Sequence, residues 1–250
     1  MAIIVKSPDE VDKIRRACRV VGKVLSEIGE YIRPGVSTAE LDRIAEKIIR
    51  GEGAVPSFKG YDGFPAAICA SPDEVVIHGI PSSKQVLHEG QIISIDVGAI
   101  LNGYHGDGAR TYPVGEIGED AARMIQAAKE AFYAGVSCVK AGAHLHEISA
   151  GVEKKAIEYG CGIVREFAGH GVGTELHEDP LIPNYKPVGR GPKLKSGMTL
   201  AIEPMLTLGN AAVRVLDDGW TTVTRDGSIA SHYENTILVT EEGYEILTTV

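Results

Sequence analysis

Gly90-Gln91-Ile92-Ile93-Ser94-Ile95-Asp96 and Gly197-Met198-Thr199-Leu200-Ala201-Ile202-Glu203 are two copies of one phrase. Each opens on glycine, runs through a largely apolar stretch and closes on a carboxylate. They lie 107 residues apart (197 less 90, 203 less 96). The same offset carries Gly35 and Glu40-Leu41 onto Gly142 and Glu147-Ile148. Two helices followed by a carboxylate-bearing strand therefore occur twice. This predicts an α/β (α+β) fold with pseudo-two-fold symmetry, antiparallel strands inside and helices outside. The halves, roughly residues 7–115 and 116–250, read as one domain spanning 1–250, with Asp96 and Glu203 at equivalent places about a shared axis.

The local signals support that outline. Ser7-Pro8-Asp9-Glu10 is a helix start: a serine cap, a proline in the first turn and a glutamate three residues on. Val11, Ile14, Cys18, Val21, Leu25 and Ile28 follow at helical spacing. Ser37 caps a second helix carrying Leu41, Ile44 and Ile48. Strands are expected over residues 91–100 and 104–114, joined by the hairpin turn Asn102-Gly103. Helices are expected over 119–139 and 145–159. Further strands are expected near 163–167, 199–206, 221–224, 229–239 and 245–247, with turns at Asp218-Gly219 and Asp226-Gly227.

Composition narrows the class. The chain has 250 residues and a formal charge of −9, which argues against a nucleic-acid binder. No stretch reaches the ~20 apolar residues of a membrane span, and the N-terminus lacks the apolar core of a signal peptide. Cys18, Cys69, Cys138 and Cys161 form no Cys-x-x-Cys pair. They read as reduced cysteines of a cytoplasmic protein. There is no Gly-x-Ser-x-Gly elbow and no His-Glu-x-x-His helix.

Five residues stand out as metal donors: Asp96, Asp107, His170, Glu203 and Glu234. Taken singly, each acid reads first as a solvated surface residue, and Asp107, between two glycines, as a turn residue. Glu203 departs furthest from that reading, because it follows an apolar strand. Carboxylates with one imidazole suit manganese, ferrous iron, cobalt and, less selectively, zinc. Four ionised carboxylates carry four negative charges. Two divalent cations cancel them, whereas one leaves about two uncompensated in a low-dielectric pocket. Two ions about 3.5–4 Å apart activate water and polarise a carbonyl.

Together the phrases resemble the type I methionine aminopeptidases of the bacterial kind, over essentially the whole length. The matching phrases are His78-Gly79-Ile80-Pro81, Ile95-Asp96-Val97-Gly98, Gly106-Asp107, Gly169-His170-Gly171-Val172-Gly173, His177-Glu178-Asp179-Pro180, Ile202-Glu203-Pro204-Met205, Asp218-Gly219-Trp220-Thr221 and Tyr233-Glu234-Asn235-Thr236. The resemblance implies the pita-bread fold and a metal-dependent aminopeptidase. It implies removal of the initiator methionine from nascent proteins whose second residue is small. Only 30 residues lie between Glu203 and Glu234 (234 less 203 less 1), too few for the helical insert of the type II enzymes.

The resemblance further implies two divalent ions per chain, cobalt, manganese, iron or zinc. Asp96 chelates one, His170 and Glu203 bind the other, and Asp107 and Glu234 bridge them. A hydroxide between the metals attacks the first peptide carbonyl, with Glu203 shuttling the proton. His78 and His177 hold the scissile amide and stabilise the oxyanion. Tyr61, Phe64, Cys69, His78, Leu176, His177 and Trp220 form the substrate pocket, an apolar slot for a thioether. Without the resemblance, His78 reads as a loop histidine and Trp220 as core. Leu176 stands where some members carry phenylalanine and Phe58 where some carry cysteine. The implied partners are nascent chain N-termini and the ribosome, with a monomer acting in the cytoplasm and no membrane or nucleic acid. Two competing readings are an Xaa-Pro aminopeptidase or dipeptidase of the same fold and a non-catalytic peptide-binding module.

Overall fold

Gly35 and Gly142 have φ of 89° and 87°, and Gly90 and Gly197 have φ of 88° and 90°. These positive values are free only to glycine, so the 107-residue repeat is a repeat of backbone shape. Isolated bridges Ser37↔Val86 and His144↔Lys193 keep the same offset. The structure is a computed structural model and describes residues 2–249.

Chain order runs α1 (Pro8–Ile28), α2 (Thr38–Gly51), β1 (Val55–Pro56), β2 (Ile68–Pro72), β3 (Val75–Ile77), β4 (Ile92–Leu101), β5 (Tyr104–Pro113), α3 (Glu119–Val136) and α4 (Leu145–Glu158). It continues through β6 (Gly162–Ile163), β7 (Ala168–Gly171), β8 (Glu178–Pro183), β9 (Thr199–Ile202), β10 (Met205–Thr207), β11 (Val213–Val215), β12 (Thr222–Thr224), β13 (Ala230–His232), β14 (Asn235–Val239) and β15 (Tyr244–Ile246). The Ser7 cap closes as a capping box: Ser7 N–H donates to Glu10 Oε2 at 2.8 Å, and Glu10 N–H to Ser7 Oγ at 3.4 Å. Every apolar position expected on α1 is buried. Asn102 and Gly103, with φ of 53° and 81°, make the turn that pairs Leu101 with Tyr104.

The strand pairings are antiparallel among the described residues. One main sheet holds β1, β4, β2 and β5, and the other runs β15-β14-β9-β7-β8. Helices α1 and α2 pack on the first and share a core with Ile68, Ile93, Ile95 and Val97. Helix α4 packs on the second, and α3 packs on α4 and on β10 and β13, in one core with Leu200, Ile202 and Ile237. The two sheets are stitched where Glu234 N–H donates to Ala109 O at 2.9 Å and Ala109 N–H to Glu234 O at 3.3 Å. Beside that stitch, Thr236 Oγ1 donates to Asp107 O at 2.8 Å.

Several expected elements have different bounds, for physical reasons. The strand expected over 199–206 is broken at Glu203-Pro204, and β10 joins a separate sheet with β13 and β6. Proline has no N–H to continue the ladder. The strand expected over 229–239 breaks likewise at Tyr233-Glu234. The strand expected near 163–167 is only Gly162–Ile163, and the third helix stops at Val136, ahead of residue 139. Strands β7, β8 and β11 were not expected, because their glycines, prolines and charges break the alternation that marks a strand.

Candidate metal centre and substrate cavity

The breaks in the strands are where the donors sit. Glu203 follows β9 and Glu234 precedes β14, at the points where the chain steps from one sheet to another. Asp96 lies inside β4. Asp107, on β5, is opposite Gly98, two residues along β4 from Asp96. Residues two apart on a strand share a face, so the two aspartates are diagonal neighbours on one surface. His170 lies on β7, opposite Ala201 of β9. A Cβ on Gly169 would come 2.4 Å from Ala201 O, and one on Gly171 would come 2.5 Å from Asp179 O. The glycines flanking His170 therefore let β7 lie close between its neighbours.

All five donors line one cavity of about 280 Å³. Asp107, His170 and Glu234 each offer a ligand atom within 4.8 Å of the other two. His170 Nε2 is 3.5 Å from Glu203 Oε1 and 3.7 Å from Asp107 Oδ2. Asp96 Oδ1 and Glu234 Oε1 are buried with no hydrogen-bond partner. Among the described residues, no lysine or arginine pairs with any of the four carboxylates. Burial pushes the Asp96 carboxyl up to about 7. Burial first, and neighbouring carboxylates second, hold Asp107, Glu203 and Glu234 well above the usual carboxylate range. Burial also pushes His170 down to about 3, so its imidazole is neutral and free to ligate. Clustered acids, orphaned oxygens and a neutral nitrogen form a donor set that fits divalent cations.

The remaining predicted residues line the same cavity: Tyr61, Phe64, Cys69, His78, Leu176, His177 and Trp220. Phe64, Cys69 and Leu176 belong to one buried apolar cluster with Phe58, and Trp220 packs against it. The Phe64 and Trp220 rings meet edge to face, their centroids 5.1 Å apart. Cys69 pairs with Asp96 across β2 and β4, so this apolar wall adjoins the carboxylates. Burial raises the Cys69 thiol well above its ordinary value, leaving it neutral and a packing group. His177 Nδ1 and the Tyr61 hydroxyl are 2.8 Å apart. The His177 ring stands edge-on to His170, with centroids 4.4 Å apart. His78 has a φ of 58°, held by the loop that follows it: Ala70 N–H donates to Gly79 O at 2.9 Å. Burial pushes His78 down to about 4.

Sequence reasoning missed part of the surroundings. Ile77, Phe167, Ala168 and Leu181 also line the cavity, and no local phrase marked them. Arg110 Nη2 donates to Asn235 Oδ1 at 2.6 Å, and its Nη1 donates to the carbonyl of Glu234. Its guanidinium lies 4.2 Å from the Tyr233 ring centroid. Arg110 therefore holds the backbone of the Glu234 turn from behind. Asn184 Nδ2 does the same for Glu203, donating to its carbonyl at 3.0 Å. His232 lies immediately before the Glu234 phrase, and no sequence pattern marks it.

The model of metallopeptidase family M24 matches residues 12–241. The chain belongs to that family. Metallopeptidase membership implies a divalent metal, in agreement with the donor cluster. The chain is 52% identical over 246 residues to the methionine aminopeptidase of Clostridium acetobutylicum, covering 98% of each chain. It is similar in structure to the methionine aminopeptidase of Thermotoga maritima, with a TM-score of 0.98, 42% identity and 100% coverage of both chains. The prolidase of Pyrococcus furiosus shares the fold at a TM-score of 0.81 and 27% identity. There the family M24 chain described here spans 66% of the longer protein.

Proposed function

We propose that the chain is a metal-dependent aminopeptidase that removes N-terminal methionine from peptides with a small second residue. One observation carries the reading: a single cavity joins the carboxylate–histidine cluster to an apolar wall of Phe64, Cys69, Leu176 and Trp220. Full-length similarity to methionine aminopeptidases supports it over the proline-directed alternative, whose prolidase representative is more distant and longer. The donor set supports it over a binding module, since buried orphaned carboxylates serve no apolar recognition.

In this reading Asp96, Asp107, His170, Glu203 and Glu234 hold two divalent ions, drawn from cobalt, manganese, iron and zinc. Bound there, the ions supply Lewis-acid polarisation and an acidified water. The residues around them do the rest. Phe64, Cys69, Leu176 and Trp220 take the methionine side chain and exclude water from it. With the Tyr61 hydroxyl, 2.8 Å from His177 Nδ1, as the donor of that pair, the proton of neutral His177 is on Nε2. That N–H and His78 bind the scissile amide and the oxyanion that develops. Glu203 carries the proton to the departing amine.

The substrates in this reading are newly made chains, which begin with methionine, so the chain acts in the cytoplasm beside the ribosome and as a monomer. Residues 1–250 then form one catalytic domain, an arrangement supported by a cavity that draws on both halves of the repeat. The test offers Met-Ala-Ser, Met-Lys-Ser and Ala-Pro-Ala to protein loaded with manganese, cobalt or iron. Cleavage of Met-Ala-Ser alone is expected. Equal turnover of Ala-Pro-Ala would overturn the assignment, and no turnover with any metal would favour the binding module.

A further inference from the structure

His232 closes β13 and is 1% exposed. Its backbone is fully engaged. The N–H donates to Thr111 Oγ1 at 3.0 Å, and the carbonyl accepts from the same hydroxyl at 2.9 Å. Its ring nitrogen Nε2 is buried with no hydrogen-bond partner. That nitrogen faces two carboxylates, 3.6 Å from Glu203 Oε2 and 3.9 Å from Glu234 Oε2. Glu203 and Glu234 line the cavity and His232 does not, so the imidazole stands behind them. Glu203 is therefore bracketed, with His170 Nε2 at 3.5 Å from Oε1 and His232 on Oε2.

We propose that His232 is a positioning residue of the metal centre, presenting Nε2–H to Glu203 Oε2 and thereby turning Oε1 toward His170 and the cavity. The inference rests on the metal-site reading above. A lone pair on Nε2 would face carboxylate lone pairs, so the ring places its hydrogen there whether it is neutral or charged. At 3.6 Å the contact is longer than a hydrogen bond. The terminal torsion of a glutamate is broad and soft, and a small turn of it closes that gap. Groups that orient ligands in this way typically change metal affinity about 10–100-fold when removed. No pattern along the chain marks the role, because β13 reaches Glu203 only through the break at Glu203-Pro204.

Calorimetric titration of the metal-free protein with Mn²⁺ tests the role without reference to turnover. Wild type, His232→Gln and His232→Leu are compared, with circular dichroism and melting recorded for each. Gln keeps an N–H donor of similar reach and Leu removes it. The expected result is an affinity loss of about 10–100-fold for Leu and near-wild-type affinity for Gln. The visible band of the Co²⁺-loaded Gln variant should keep its wild-type position, because no ligand nitrogen has been lost. Unchanged affinity in Leu overturns the proposal. So does a Gln variant that loses as much as Leu or shifts the cobalt band, since His232 would then be a ligand or a packing group. Should Leu fail to fold, His232→Met takes its place. A wild type that binds no metal overturns the site reading itself, whereas a binding wild type with an indifferent Leu variant overturns only this inference.

Discussion

Replacing Lys6 with methionine should destabilise the protein far more than loss of an ordinary ion pair. The Lys6 ammonium donates to Glu178 Oε2, and the two side chains are 3% and 4% exposed. A Cβ placed on Gly173 would lie 2.2 Å from Glu178 Oε1 and 2.8 Å from Lys6 Cε, so the Gly173 backbone packs directly against the pair. Lys6 N–H also donates to Gly197 O at 2.8 Å, which ties the N-terminal arm to the second half of the repeat. Removing one partner strands a buried charge, a loss of about 3–5 kcal/mol. At about 2–4 °C per kcal/mol for a chain of this size, the melting temperature should fall by about 6–20 °C. Removing both charges, Lys6→Met with Glu178→Leu, should restore most of it, because a buried pair is roughly balanced by apolar side chains of similar volume. Glu178 follows His177, so the single variant should also lose turnover. Thermal and urea unfolding of the two single variants and the double variant complete the cycle. A Lys6→Met cost below about 1 kcal/mol, the value for an exposed pair, would refute the reasoning. So would a double variant as unstable as the single one.

Asp96→Asn and Glu203→Gln should each weaken Mn²⁺ binding by at least about tenfold and lose most activity; near-normal values for either would remove that residue from the ligand set. Gly79→Ala should cost about 1–3 kcal/mol by overpacking, because its Cβ would sit 2.2 Å from Ala70 O; a melting temperature equal to wild type would show that the His78 loop gives way freely. The Asp96 carboxyl should make the metal-free protein lose stability as pH rises from about 4 to about 7. Burial raises Asp96 from 3.8 to about 7, so its contribution is present in full below the lower value and lost as pH rises through the upper. Metal should therefore raise the melting temperature more at pH 8 than at pH 6 and release protons on binding, read by calorimetry in buffers of different ionisation enthalpy. Equal metal-induced gains at the two pH values would contradict the shift.

What could be read from the chain follows from how far each signal reaches. Asp96 and Glu203 were legible because the repeat placed them at equivalent strand ends, and helix α1 because its cap and apolar spacing are local. The donor phrases carried the rest of the cavity: every predicted pocket residue lines it. Leu181 and Phe167 lay outside those phrases, since each enters the cavity from a short strand or loop with no periodicity. The breaks at Glu203-Pro204 and Tyr233-Glu234 were hidden by the apolar residues on either side, which read as uninterrupted strands. His232 and Arg110 escaped for a different reason. They act across sheets, His232 facing Glu203 and Arg110 holding the Glu234 carbonyl, and such contacts leave no pattern along the chain.

In the proposed reading, acids spread from residue 96 to residue 234 converge with His170 on a pair of metal ions. Anomalous diffraction from a manganese-soaked crystal, recorded above and below the manganese absorption edge, tests it most directly. Two edge-dependent peaks about 3.5–4 Å apart are expected, with Asp107 and Glu234 touching both, Asp96 one, and His170 and Glu203 the other. A peak away from these residues, or no edge-dependent density among them at saturating manganese, would contradict it.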